Sequence, residues 1–308
     1  MIRKFLKYLK KRISKLGALK LITREELCIR DLESLALKGI SSLTSVGKND
    51  EDSPLIISLT TYSQRIHDVH LVIESLGRQT LKADKIILWL DEQEFSDSNL
   101  PLILKSQLKR GLEIKYCENL RSYKKLIPTV KLYPNSHIIT TDDDIIYPYD
   151  FVELLIKESS LHPKTIICNH AHKIKMANGH ILKYKDWEFN VMDCCSSNVI
   201  FPVGAGGILY PQGCLDDRLV RKDLFLSLAP SADDIWFKFM SLLKGIPSKK
   251  ITDDRLFEDR FVPISRGQSI ALYHKNVRGG ENDKQFDNLL KYFGIPASKI
   301  FSKYEKFK

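Results

Sequence analysis

Three consecutive carboxylates, Asp142, Asp143 and Asp144, follow the apolar-leaning run His137-Ile138-Ile139-Thr140-Thr141. Like charges set side by side repel unless a cation lies among them. Hard divalent cations take oxygen ligands, and Mg2+ commonly uses one or two carboxylates plus the phosphate oxygens of a substrate. Alternate residues of an extended segment point the same way, so Asp142 and Asp144 are expected to share a ligand while Asp143 faces elsewhere. The competing use is a helix cap or a solvated turn. Asp150 and Glu153 already have capping-box spacing for the following helix, which leaves the triplet without that local task.

Three further stretches carry candidate chemistry. Ser58-Leu-Thr-Thr-Tyr-Ser-Gln-Arg-Ile66 ends a strand-like run in hydroxyls, an aromatic ring and a guanidinium. Val203-Gly-Ala-Gly-Gly207 holds three glycines in four residues, which suits either close approach to a ligand or a tight bend between strands. Ser231-Ala-Asp-Asp-Ile-Trp-Phe237 offers an acidic pair, Asp233 and Asp234; Ser231 and Asp234 also have a cap-like spacing.

The elements around these residues alternate. Leu55–Thr61, Lys85–Leu90, Leu112–Cys117 and His137–Thr141 read as strands, with helical patterns near 66–79, 100–110 and 124–133. Such alternation predicts an α/β fold with a mostly parallel sheet flanked by helices. Ligands on such sheets bind at the carboxyl ends of the strands, where Asp91 and Asp142 fall. Mixed strands and loops are expected over 165–215, then helices near 232–244 and 283–293. Thr23 and Glu26 have capping-box spacing, so a second helix is expected to start there.

The net charge of +10 is concentrated at the start: residues 1–20 hold eight Lys and Arg and no acid, leaving +2 for the rest. Ile2, Phe5, Leu6, Leu9, Ile13 and Leu16 recur at helical spacing. An apolar stripe opposite lysines suits an anionic membrane surface, though a helix docked on its own domain would show the same pattern. No apolar run reaches the length of a membrane span, and no signal-peptide core follows the basic start. Six scattered cysteines without a CxxC pair suggest reduced thiols in a cytoplasmic protein. Nucleic acid is not expected as a partner, because the basic arm has little aromatic interleaving.

Together SLTTYSQRI, TTDDDIIYP, VGAGGILYP and SADDIWF, in this order, resemble the nucleotide-sugar glycosyltransferases of the GT-A fold, close to the bacterial family-2-like enzymes of surface polysaccharide synthesis. The resemblance spans a catalytic domain over 54–280, with a nucleotide-binding half (54–148) and an acceptor half (149–280). Residues 1–22 would be a basic amphipathic helix, 23–53 a helical segment and linker, and 281–308 a C-terminal helical tail.

The resemblance implies roles residue by residue. Thr60, Tyr62 and Arg65 would hold the nucleotide, with Tyr62 stacking on the base; Arg65 as an ordinary exposed helix residue is the alternative. Asp91 would accept a hydrogen bond from the base or serve its own turn. Asp144 would bind Mn2+ or Mg2+, with Asp142 on the ribose or a metal-bound water and Asp143 nearby. His274 would be a late metal or phosphate ligand or a structural histidine, and Arg278, in a glycine-containing loop, would close over the diphosphate or lie in a plain surface loop. Lys124 and Lys125 would face phosphate or lie on the surface. Gly206 and Gly207 would line the donor sugar and acceptor, and Trp236 would stack on an acceptor sugar or fill the core. Asp234, with Asp233 second, would be the base that takes the acceptor proton.

The activity implied is metal-dependent transfer of a sugar from a nucleotide-diphosphate donor, UDP first, to a lipid-linked or glycan acceptor at the inner face of the membrane. A sugar-nucleotide nucleotidyltransferase would share the nucleotide half but calls for a glycine-rich basic loop after the first strand. A non-catalytic nucleotide- or glycan-binding protein would dispense with the acids. A metal-dependent phosphohydrolase would leave VGAGG and SADDIWF unexplained.

Overall fold

The computed structural model describes residues 2–45, 53–266 and 280–301, with side chains from Leu19 onward. Seven strands form the central sheet: β1 Leu55–Thr60, β2 Lys85–Asp91, β3 Leu112–Cys117, β4 His137–Thr140, β6 Ile166–Cys168, β11 Ile208–Tyr210 and β12 Ser248–Lys250. Short ribbons pair β5 Ile145–Ile146 with β13 Val262–Pro263, β7 Ala171–Lys173 with β10 Ile200–Pro202, and β8 Met176–Ala177 with β9 His180–Ile181. The helices are α1 Ile2–Lys38, α2 Val69–Gly77, α3 Leu102–Leu108, α4 Ile127–Leu132, α5 Phe151–Leu161, α6 Lys222–Leu228, α7 Asp233–Lys244, α8 Phe257–Arg260, α9 Glu281–Phe293 and α10 Ala297–Phe301.

The sheet order is β12-β6-β11-β4-β1-β2-β3. All its strands run the same way except β11, which is antiparallel to β4 and β6. This is the mostly parallel, helix-flanked α/β architecture that the alternation predicted. Successive strand residues face opposite sides, so each apolar strand feeds two cores. Ile57, Leu59, Leu88 and Ile139 pack with Ile29, Leu32, Val72 and Phe151. Ile138, Ile166, Ile208 and Tyr210 pack with Phe225, Trp236, Phe239 and Phe286. Each fully buried large side chain contributes roughly 1.5–3 kcal/mol; together they hold the strand ends in register.

Thr23 does not start a helix. It lies inside the single continuous α1, and its hydroxyl donates to the Leu19 carbonyl at 2.9 Å, one turn back. The later part of α1 is docked: Ile29 and Leu32 are buried, Arg24 donates to the carbonyls of Glu258 and Asp259, and Asp31 pairs with Arg78. Nearer its start, Leu19, Leu21, Ile22 and Leu27 are exposed. No helix among the described residues is long and apolar enough to cross a membrane.

Candidate active site

The carboxyl ends of β1, β2 and β4 lie along one edge, with Ser58 opposite Thr140 and Thr60 opposite Trp89. β11 starts at that same edge, where Ile208 pairs with both Thr140 and Cys168. The aspartate triplet leaves β4 here, but not as an extended segment: Asp143 and Asp144 form a turn before β5. Strict alternation therefore does not hold: Asp142 and Asp144 do not share one partner here but face different cations, Lys125 and Arg65. Asp143 and Asp144 converge on one guanidinium, with Arg65 Nη1 2.7 Å from Asp143 and Nη2 3.0 Å from Asp144. Thr61 Oγ1 closes Asp143 from the other side at 2.6 Å. Burial raises the Asp143 pKa, opposed by Arg65 and the Thr61 hydroxyl. Arg65 is buried rather than an exposed helix residue, and the two carboxylates outweigh the effect of that burial to stabilise its charge.

Asp142 turns to a different cation. Its backbone N–H donates to the Tyr147 hydroxyl oxygen at 2.9 Å. Its Oδ1 lies 2.9 Å from Lys125 Nζ, and the same ammonium lies 3.0 Å from Asp233 Oδ2. Lys125 comes from the tight turn that precedes α4 and is buried. Burial works against its charge, but Asp142, Asp233 and Asp234 together hold its pKa well above the ordinary lysine range. Its neighbour Lys124 points at Asp91, with Nζ 3.9 Å from the carboxylate. The lysine pair thus lies buried against acids rather than on the surface. Charge alone could not distinguish these fates, because the partners of Lys125 lie 17 and 108 residues further along the chain.

Asp233 and Asp234 open α7, where the helix dipole favours negative charge. The cap-like spacing of Ser231 and Asp234 does not become a cap. Ala232 occupies the N-cap position, and the Ser231 N–H donates to Gln285 Oε1 at 2.9 Å. Asp233 Oδ1 accepts from the Ser122 hydroxyl at 2.9 Å, and its buried Oδ2, without a hydrogen bond, is ion-paired with Lys125 at 3.0 Å. Asp234 Oδ2 accepts the Gly204 N–H at 2.9 Å, whereas its Oδ1 is buried with no hydrogen-bond partner. Burial, and then the charge of Asp233, push the Asp234 pKa up to about 7; Lys125 and the Gly204 N–H act in the opposite direction. A carboxylate in that range is matched to proton transfer near neutrality.

The glycine segment divides differently from the expectation. A Cβ on Gly206 would sit 2.7 Å from His170 Cβ, and one on Gly207 2.5 Å from the Phe151 ring. Both glycines answer to packing, Gly207 also to its φ of +76°. Gly204 faces the acids: its Cβ would lie 3.1 Å from both Asp234 Oδ1 and Lys125 Nζ. The assignment of Gly206 and Gly207 to sugar contact is therefore replaced by Gly204 as the glycine beside the charged cluster.

Other expectations also change. Trp236 is fully buried, its indole N–H donates to the Leu219 carbonyl at 3.2 Å, and it packs on Phe225 and Phe293. It is core and cannot stack on an acceptor. Asp91 is closed to solvent, accepting the Gln93 N–H at 3.0 Å and facing Lys124, so it serves its turn rather than a nucleotide base. Thr60 donates to the Trp89 carbonyl at 2.8 Å, tying β1 to β2. Tyr62 remains half-buried beside Arg65, whose guanidinium carbon lies 5.3 Å from the ring centroid. His274 and Arg278 lie outside the described residues.

The donor set can be compared with Mg2+ or Mn2+. Asp142 and Asp144 are the more open members of the triplet, with side chains 29% and 16% exposed against 7% for Asp143. No group of three or more His, Cys, Asp or Glu among the described residues forms a metal cage. Two half-open carboxylates fit a cation that completes its shell with phosphate and water; they do not fit one enclosed by protein.

No protein-family model and no curated protein matches this chain. Among solved structures it is similar to CMP:2-keto-3-deoxy-manno-octonic acid synthetase complexed with CTP. That comparison has a TM-score of 0.37 and 10% identity, covering 65% of this chain and 89% of the other. At this level the likeness says nothing about substrate or about the role of any residue.

Proposed function

We propose that this protein is a metal-dependent glycosyltransferase that moves a sugar from a nucleotide-diphosphate donor, UDP first, to an acceptor hydroxyl. The observation that carries this reading is the placement of Asp234. Its carboxylate is free of a capping role, has one buried oxygen without a hydrogen-bond partner, and is poised near neutral pH. Its neighbour Asp233 is joined through Lys125 to Asp142 at the end of β4.

In the reaction, the acceptor oxygen forms a bond to the anomeric carbon as the bond from that carbon to the diphosphate oxygen breaks. Asp234 takes the acceptor proton, and the leaving nucleoside diphosphate keeps the bonding electrons. Asp142 and Asp144 would hold Mn2+ or Mg2+, which offsets charge on the leaving diphosphate when bound. Tyr62 offers a ring for the nucleotide base. The basic start of α1 supports attachment to an anionic membrane, and with it a lipid-linked acceptor at the inner face.

A nucleotidyl transfer that makes the sugar nucleotide is the second reading. Arg65, held directly after β1 against Asp143 and Asp144, favours it; the absence of glycine from 58–66 does not. The test is calorimetry of UDP with and without Mn2+ on the wild type and on Asp144→Ala, followed by product analysis. Metal-dependent UDP binding lost in the variant, and UDP released from a UDP-sugar, support glycosyl transfer. Pyrophosphate released from CTP or UTP in the presence of a sugar substrate supports the second reading and overturns the first.

A further inference from the structure

One ammonium joins the two acidic groups of the site. Lys125 Nζ is 2.9 Å from Asp142, on the donor side, and 3.0 Å from Asp233, on the base side. The ammonium and Asp234 flank the same side of Gly204, where an added Cβ would lie 3.1 Å from each. Three elements therefore meet on one charge: the end of β4, the start of α7 and the turn before α4. An ammonium has three N–H donors and no acceptor, so it can be shared between carboxylates and can move from one to another.

We propose that Lys125 is a positioning residue that couples donor loading to the base, and this rests on the transfer reading above. Without donor, the ammonium is shared by Asp142 and Asp233 and competes with a divalent cation for Asp142. Asp142, once engaged by a cation bound with the diphosphate, would release the ammonium toward Asp233 and Asp234. There it favours the ionised form of Asp234 at the moment when a donor is in place. The titratable groups facing Asp234 are Asp233 and Lys238 on its own helix, Tyr123 and Lys125 on the turn, Asp142 after β4, Cys168 at the end of β6, and Tyr210 on β11. Among these, Lys125 is the cation that also pairs with Asp142 on the donor side.

The test uses the full chain with Mn2+ alone as the calorimetric probe, together with the pH profile of transfer. Lys125→Met is expected to bind Mn2+ on the order of tenfold more tightly, because a unit-charge competitor has gone. Its acid limb is expected to move up by roughly one pH unit, because Asp234 has lost a neighbouring cation. Asp233→Asn is expected to do the opposite to metal binding: with its second berth removed, the ammonium stays on Asp142 and Mn2+ binds more weakly. Lys125→Arg keeps the charge and is expected to keep the acid limb. If Lys125→Met does not fold, the opposed sign in Asp233→Asn and the retained limb in Lys125→Arg still decide the matter. Mn2+ affinity unchanged in either variant, or an unshifted limb with only a raised KM in Lys125→Met, overturns the coupling. A wild type that binds neither Mn2+ nor UDP overturns the transfer reading with it, whereas metal-dependent UDP binding in the wild type leaves that reading standing when the coupling fails.

Discussion

Gly204 donates its backbone N–H to Asp234 Oδ2 at 2.9 Å, and this contact fastens the glycine segment to the start of α7. A methyl group on Gly204 would press on Asp234 and Lys125 rather than on the core. Gly204→Ala is therefore expected to lower kcat roughly tenfold while the urea midpoint changes little, since 3.1 Å approaches to flexible side-chain ends relax cheaply. Gly207→Ala is expected to behave in the reverse manner. Its positive φ and the Phe151 ring leave no room for a Cβ, so stability falls by about 2 kcal/mol. Urea titration of both variants, beside an activity assay, separates the two glycines.

Asp234→Asn is expected to lower kcat by about 10²- to 10⁴-fold and to leave metal-dependent UDP binding in place. The wild-type rate should fall as pH drops below about 7, where Asp234 becomes protonated. The same group predicts a trend in stability. Its folded pKa lies above its unfolded value, so the folded state holds the proton more tightly, and stability declines as pH rises from about 4 through 7. Asp234→Asn removes that loss and is expected to be more stable than the wild type at pH 8, as read from thermal denaturation across pH.

Lys238, one turn after Asp234 on α7, is buried with its ammonium 3.2 Å from the Ser248 hydroxyl. Burial pushes its pKa down to about 7. The unfolded lysine protonates near 10.5, so between these values the unfolded state binds more protons and stability rises with pH. Lys238→Met fills a similar volume without the charge. It is expected to gain on the order of 1–3 kcal/mol at pH 7 and to gain little at pH 10, as checked by urea unfolding at both values.

Trp236→Ala is expected to cost about 3–5 kcal/mol of stability, as for other large core truncations. Trp236→Phe should keep the acceptor KM near the wild-type value. A large rise in that KM, in a variant that remains folded, would restore the acceptor-stacking role that burial argues against.

The elements were legible in the sequence because they rest on local pattern. The apolar runs from Leu55 to Leu59 and from Lys85 to Leu90 could bury both faces only in a helix-covered sheet, and they do. The acids were legible too, because Asp142, Asp143 and Asp144 cluster within one short segment and Asp233 and Asp234 adjoin an apolar helix. Thr23 misled for a local reason: its spacing to Glu26 fits a cap, but a threonine inside a helix can bond back one turn instead, and the docking of α1 keeps the helix continuous.

The sequence by itself determined which side chains could carry charge to the carboxyl edge of the sheet. Only the tertiary structure decided how those charges pair, because pairing depends on atoms brought together from distant segments. It set Arg65 on Asp143 and Asp144, divided Lys125 between Asp142 and Asp233, and singled out Gly204 from its neighbours. It also took Trp236 and Asp91 into the interior. Residue type states what a group can bond; the three-dimensional packing states which partner is within reach and whether water still competes for it.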